Sequence, residues 1–142
     1  MKLSAKTEYA CLAMLELAAR YGSNEPVRIR TIADEHGIPS RFLVQILLQL
    51  KGAGFVASTR GASGGYQLIK SPEQISLGEV MSVIDGQDNE NVTTTNSRSP
   101  TARVLLNAWR DVLRVEHDAL YAISFGDLVA RIKRQSENMF YI

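Results

Sequence analysis

The sequence predicts a mainly α-helical fold with one small β-hairpin, closed by a long helix and a short tail. Three observations point there. Apolar residues recur at three- and four-residue steps in several separate stretches, a Gly turn joins two of the short ones, and a Gly-rich hairpin pattern follows them directly.

The first helix is expected over Ser4 to Tyr21, where Tyr9, Leu12, Ala13, Leu17 and Ala18 fall on one stripe before Gly22-Ser23-Asn24 interrupts it. Pro26 then stands where it opens a segment without removing a needed donor. A second helix should run from about Val27 to His36, burying Ile29, Ile32 and Ala33, and Gly37 supplies a left-handed turn after it. From Pro39 to about Ala53 a third helix would bury Phe42, Leu43, Ile46, Leu47 and Leu50. Ser40, Arg41, Val44, Gln45, Leu48 and Gln49 are left on its other side.

Two short helices around a tight Gly turn make a helix-turn-helix. A helix fits the major groove of DNA, where Ser40, Arg41 and Gln45 have the chemistry to meet base edges or phosphates. The same three residues also suit the solvated side of an amphipathic helix.

The residues 54–59 and 66–69 read as two strands around the loop Arg60-Gly61-Ala62-Ser63-Gly64-Gly65. A hairpin placed directly after a helix-turn-helix is a wing, so the expected fold is a winged helix-turn-helix. The glycines, Gly61 among them, let the backbone approach a phosphate, and Arg60 puts a cation where it can enter a narrow minor groove. A purely structural hairpin is the alternative. Nucleotide binding is disfavoured, because no helix start and no Gly-Lys-Ser/Thr ending follow the loop.

Ser76-Leu77-Gly78-Glu79 has capping-box form before Val80, Met81, Val83 and Ile84, which predicts a short fourth helix ending near Asp85-Gly86. Residues 86–100 are rich in Gln, Asp, Asn, Thr and Ser and read as a flexible linker. Beyond Pro100, helical spacing of Ala102, Leu105, Leu106, Trp109, Val112, Leu113 and Leu120 persists for about five turns. Such a helix needs cover. A like helix from a second chain through Leu105, Leu106, Trp109, Val112 and Leu113 would bury it and create the two-fold symmetry that paired DNA half-sites require; packing on the first helix is the alternative. Ser124-Phe125-Gly126-Asp127 caps a last helix with Leu128, Val129 and Ile132, and Arg131, Lys133 and Arg134 are expected in its final turn. The domain expectation is a DNA-binding head over 1–85, the linker over 86–100, and a dimerisation helix with tail over 101–142.

Composition fits this plan. At 142 residues, 45% apolar and 22% charged, the chain has room for one compact domain with an appendage. The net charge of +1 divides into +4 over residues 1–70 (nine Lys/Arg, five Asp/Glu) and −3 over 71–142 (seven and ten). Apolar runs are too short for a bilayer span and no signal-peptide pattern opens the chain, so a cytoplasmic location and no membrane partner are expected. A lone Cys11 forbids an intrachain disulfide and an all-cysteine metal site within one chain. Within the first helix it reads as a small buried hydrophobe, with redox sensing as the other possibility. His36 and His117 have no second ligand at metal-binding spacing, and no nucleophile and base pattern suggests an enzyme.

The strings Leu3-Ser4-Ala5-Lys6-x-x-Tyr9-Ala10, Ile32-Ala33-Asp34-x-x-Gly37-Ile38, Ala53-Gly54-Phe55-Val56, Arg60-Gly61-Ala62-x-Gly64-Gly65-Tyr66 and Leu77-Gly78-Glu79-Val80 together resemble the Rrf-type regulators, the IscR, NsrR and CymR group. That resemblance implies a dimeric winged-helix repressor or activator that binds double-stranded DNA. In the iron-sulfur members three cysteines lie in the segment matching Gly86 to Pro100, and this sequence has none there, so no cofactor is expected. The family often has Glu at the position of Val44, so base preference does not transfer. The ending is similar to that of the cluster-free cysteine-metabolism repressors. It implies a tail, Met139, Phe140, Tyr141 and Ile142, that docks into cysteine synthase with the terminal carboxylate in place of an amino-acid substrate's; packing of the tail on its own or the partner subunit is the alternative. The competing function is a winged-helix interaction module that binds a metabolic enzyme and no DNA.

Overall fold

The computed structural model of the chain describes residues 2–86 and 99–139. In order they form α1 (Ala5–Ala19), α2 (Ile29–His36), α3 (Ser40–Gly52), β1 (Val56–Thr59), β2 (Gly65–Leu68), α4 (Leu77–Asp85), α5 (Pro100–Tyr121) and α6 (Phe125–Met139), with one 3-10 turn, Pro72–Gln74, before α4. Most of the expected linker, residues 87–98, and the tail residues Phe140, Tyr141 and Ile142 lie outside the described residues.

Each helix starts and stops for a local reason. Ser4 caps α1 by accepting from the Thr7 amide at 3.1 Å, and Ser76 caps α4 by accepting from the Glu79 amide at 3.1 Å. Ser99 caps α5 before Pro100, whose missing N–H costs nothing in a first turn. Ser124 and Asp127 cap α6 reciprocally: the Asp127 amide donates to Ser124 Oγ at 3.0 Å and the Ser124 amide to Asp127 Oδ2 at 3.2 Å. Gly37 ends α2 in the left-handed conformation (φ 64°, ψ 34°), a geometry that a side chain would strain. The chain is thereby redirected through Ile38 and Pro39 into α3.

The core of the head gathers Ala10, Ala13, Met14 and Leu17 from α1, Ile32 and Ala33 from α2, and Leu43, Ile46, Leu47 and Leu50 from α3. At roughly 1.5–3 kcal/mol for each large apolar side chain removed from water, the α3 stripe outweighs helix propensity in fixing how α3 lies. Phe55 and Val56 from the wing base and Val80 and Ile84 from α4 complete it. The structure turns the predicted α1 stripe slightly: Ala10 and Met14 are buried, whereas Tyr9 and Leu12 are half-buried at its margin. Thr7 is fully buried with its hydroxyl donating to Asp85 Oδ2 at 2.5 Å, while Ser4 Oγ donates to Asp85 Oδ1 at 3.2 Å. A carboxylate at the end of α4 thus faces the positive end of the α1 dipole and ties the two helices together.

Three further expectations need correction. Residues Val27 and Arg28 precede α2; Val27 instead exchanges two backbone hydrogen bonds with Tyr66, at 2.8 Å each, and so adds a one-residue bridge beside the hairpin. Phe42 is not in the core but 44% exposed, because it falls on the margin of the Leu43/Ile46/Leu47/Leu50 stripe; the Arg41 guanidinium covers its ring at 5.0 Å. Arg131, Lys133 and Arg134 are exposed in the middle of α6 and its last turn holds no basic residue, since Gln135-Ser136-Glu137-Asn138 contains no breaker and the helix continues to Met139.

Beyond the head the chain folds back. Ser76 and Ser124 form an isolated antiparallel bridge, with the Leu77 amide donating to Ile123 and the Phe125 amide to Ile75, both at 2.9 Å. That bridge seats Phe125 wholly inside the core, and α6 lies along α1. The α5 helix meets the head mainly through α4, where the Tyr121 ring sits so close to Gly78 that a Cβ there would be 2.2 Å from it. None of the α5 side chains is buried.

Candidate nucleic-acid interface

The β1 and β2 strands pair antiparallel in the register Val56↔Leu68, Ala57↔Gln67, Ser58↔Tyr66 and Thr59↔Gly65, which leaves residues 60–64 as the tip of the wing. Two glycines make this shape possible. A Cβ on Gly64 would lie 2.2 Å from the Thr59 carbonyl, and one on Gly65 would lie 2.4 Å from that of Val27, so only a bare backbone lets β2 approach the Val27 bridge. At the tip Gly61 adopts φ 106°, and Arg60 beside it is exposed.

On α3, Ser40, Arg41, Val44, Gln45 and Leu48 are all exposed and Gln49 is half-buried, so the outward face expected from the sequence is formed. Ser40, Arg41 and Gln45 occupy its first two turns. Lys51 Nζ at the other end donates to Ser58 Oγ at 2.7 Å and ties α3 to β1. The structure also brings in a residue that sequence reasoning passed over: the Arg28 guanidinium donates to the Ala62 carbonyl at the wing tip. Arg28 and Arg60 both line an open groove of about 480 Å³ along the wing, with Ile29, Thr59 and Tyr66. No local pattern signals that contact, which joins residues 34 positions apart.

Charge along this stretch of sequence is one-signed. From Ser40 to Lys70 the sequence holds Arg41, Lys51, Arg60 and Lys70 and no Asp or Glu. Neither α3 nor the wing itself carries a carboxylate to offset the attraction of these cations to a polyanion.

Elsewhere, titratable groups have structural duties. His36 Nε2 and Glu16 Oε1 are 2.9 Å apart, joining α2 to α1, and Glu16 also pairs with Arg20 at 3.5 Å. Burial pushes the Cys11 thiol up to about 11, with the Asp85 charge adding to the effect. Its thiolate is therefore scarce near neutrality. Iodoacetamide at pH 8 is expected to alkylate Cys11 in the folded protein on the order of 10²-fold more slowly than in denaturant, measured by intact mass; equal rates would contradict this environment.

The dimerisation candidates fall on α5. Leu105, Trp109 and Val112 recur at four- and three-residue steps, with Trp109 56% and Val112 63% exposed. Leu106 is half-buried, and Leu113, although exposed, borders a second open groove of about 480 Å³ between α4 and α5 with Met81, His117 and Tyr121. Of the tail, Met139 is the last residue of α6.

The sequence signature of the family described as Rrf2, iron-dependent transcriptional regulator, matches residues 3–131. The chain is 32% identical to the HTH-type transcriptional regulator CymR of Bacillus subtilis over 143 residues, covering all of both, and 35% identical to the HTH-type transcriptional regulator IscR of Aliivibrio salmonicida over 135 residues, 91% of this chain and 77% of that one. Among solved structures it is similar to that of CymR (YrzC), described as the global cysteine regulator of B. subtilis, with a TM-score of 0.76 and 30% identity over 92% of this chain and 98% of that one. Among the described residues the iron in the family description finds no matching donor set. The chain's one cysteine is the protonated, half-buried Cys11, and among the described residues no three His, Cys, Asp or Glu side chains converge. No helix among the described residues is long and apolar enough to cross a membrane.

Proposed function

The chain belongs to the Rrf2 family of transcriptional regulators, and from that premise we propose that it binds duplex DNA as a homodimer and represses genes of sulfur and cysteine metabolism without an iron-sulfur cluster. Each protomer lays α3 in a major groove, with Ser40, Arg41 and Gln45 on base edges and phosphates, while Arg60 and Gly61 bring the wing tip to the neighbouring backbone or minor groove. Arg28 holds the tip and adds charge beside it. The observation that carries this reading is an exposed α3 face with Ser40, Arg41 and Gln45 followed by a wing bearing Arg60, in a stretch from Ser40 to Lys70 that holds four cations and no Asp or Glu.

The homodimer rests on α5. A 22-residue helix with no buried side chain, and with Leu105, Trp109 and Val112 aligned in solvent, gains its cover from the same helix of a second copy, with Leu106 and Leu113 at the edges. Repression in cysteine metabolism is supported by similarity to CymR, the global cysteine regulator of B. subtilis. The tail Met139, Phe140, Tyr141 and Ile142 is the proposed docking element for cysteine synthase. Deleting Tyr141 and Ile142 is expected to abolish retention of the protein on immobilised cysteine synthase while its thermal melt is unchanged; undiminished retention would remove the tail from the proposal.

The test of DNA reading is the wing. Arg60→Ala is expected to weaken operator binding by about 1–3 kcal/mol and to lower the slope of log K against log salt by about one. Affinity indifferent to both the substitution and salt would mark a protein-interaction module instead.

A further inference from the structure

The exposed face of α3 is only partly polar. Val44 is 39% exposed and Leu48 55% exposed, and their four-residue separation puts them side by side, one turn beyond Ser40 and Arg41. Both point away from the Leu43/Ile46/Leu47/Leu50 core stripe. Scattered surface leucines are ordinary, but these two sit beside Arg41 on the exposed face of α3, within a stretch of sequence that holds cations and no Asp or Glu. In the major groove the one apolar feature a base pair offers is the 5-methyl group of thymine.

Resting on the DNA-reading function proposed above, the geometry points to Val44 and Leu48 as specificity residues that select thymine by contact with its methyl group. Arg41 and Gln45 are then flanked by an apolar patch that fits A·T pairs and leaves the amino group of cytosine without a partner. A G·C pair at those positions would press polar base edges against two aliphatic side chains and forfeit hydrogen bonds to water. Half-sites are consequently expected to carry thymines at fixed positions opposite the second and third turns of α3. A protein surface is the less fitting occupant, because the patch is small and bordered by cations with no acidic residue on α3.

The experiment starts from a duplex selected by the full-length protein out of a random pool. Each thymine of that duplex is replaced in turn by deoxyuridine, which keeps the pairing and removes only the methyl group. One or two positions per half-site should lose affinity about fourfold each, the equivalent of about 0.8 kcal/mol for one buried carbon. In Leu48→Ala and Val44→Ala proteins, whose helical circular dichroism confirms the fold, deoxyuridine at the matching position should cost nothing further. Full affinity for a duplex with every thymine replaced overturns the methyl contact while leaving DNA reading intact. Failure to select any duplex overturns the DNA reading itself and the methyl contact with it.

Discussion

Trp109→Asp is expected to turn the protein into a monomer and to reduce its affinity for a two-half-site operator by on the order of 10²-fold or more. The side chain stands at the centre of the Leu105, Trp109 and Val112 row on α5, where it is 56% exposed. A carboxylate placed there has to be desolvated against the same row of a second copy, which costs several kcal/mol unless it finds a partner. Loss of dimerisation separates the two heads, so each half-site is bound alone and the second engagement ceases to be intramolecular. Sedimentation velocity reads the first effect and operator titration the second. Melting of the head should persist in the monomer, because its core draws on α1 to α4, the wing base and Phe125 and not on α5. An unchanged sedimentation coefficient would remove α5 from the interface.

Leu47→Ala is expected to destabilise the head by about 2–5 kcal/mol, lowering the melting temperature by on the order of 10 °C. Leu47 is fully buried in the middle of α3, the helix that lies against α1, α2, α4 and β1. Truncation leaves a cavity where these elements meet, and the close-packed surroundings fill it only in part. Leu48→Ala, one residue on and solvent-exposed, should change stability by no more than about 0.5 kcal/mol. Thermal melts of the pair measure the contrast, and equal losses would mean that α3 is seated otherwise.

Much of this architecture is legible because the sequence marks it locally. Gly37 needs a positive φ and has one; Ser76 and Glu79 announce a cap and form it; Arg60 stands at the foot of a glycine-rich tip. Readings fail where the deciding interaction is long-range or marginal. Phe42 reads as core by residue type, yet one position of helical phase leaves it on the flank under Arg41. Thr7 gives no sign in its own segment of the buried hydrogen bond to Asp85, 78 residues on. Arg28 reads as a first-turn residue of α2, but Val27 is taken up by the Tyr66 bridge, and only then does the Arg28 guanidinium reach Ala62. The candidate interface is thus readable on α3 and at Arg60, but not in the contact that braces the wing.

The exposed apolar rows on α5 and α3 are proposed to have different occupants, a second copy on the former and DNA on the latter. Together the two assignments place two recognition helices at a fixed separation on one face of a duplex. Selection of bound sequences from a random duplex pool measures that placement most directly. Two half-sites related by two-fold symmetry are expected, with centres about one helical turn apart, about 34–36 Å, or a whole multiple of it. Enrichment of a single unpaired half-site, or of no sequence at all, would contradict that placement.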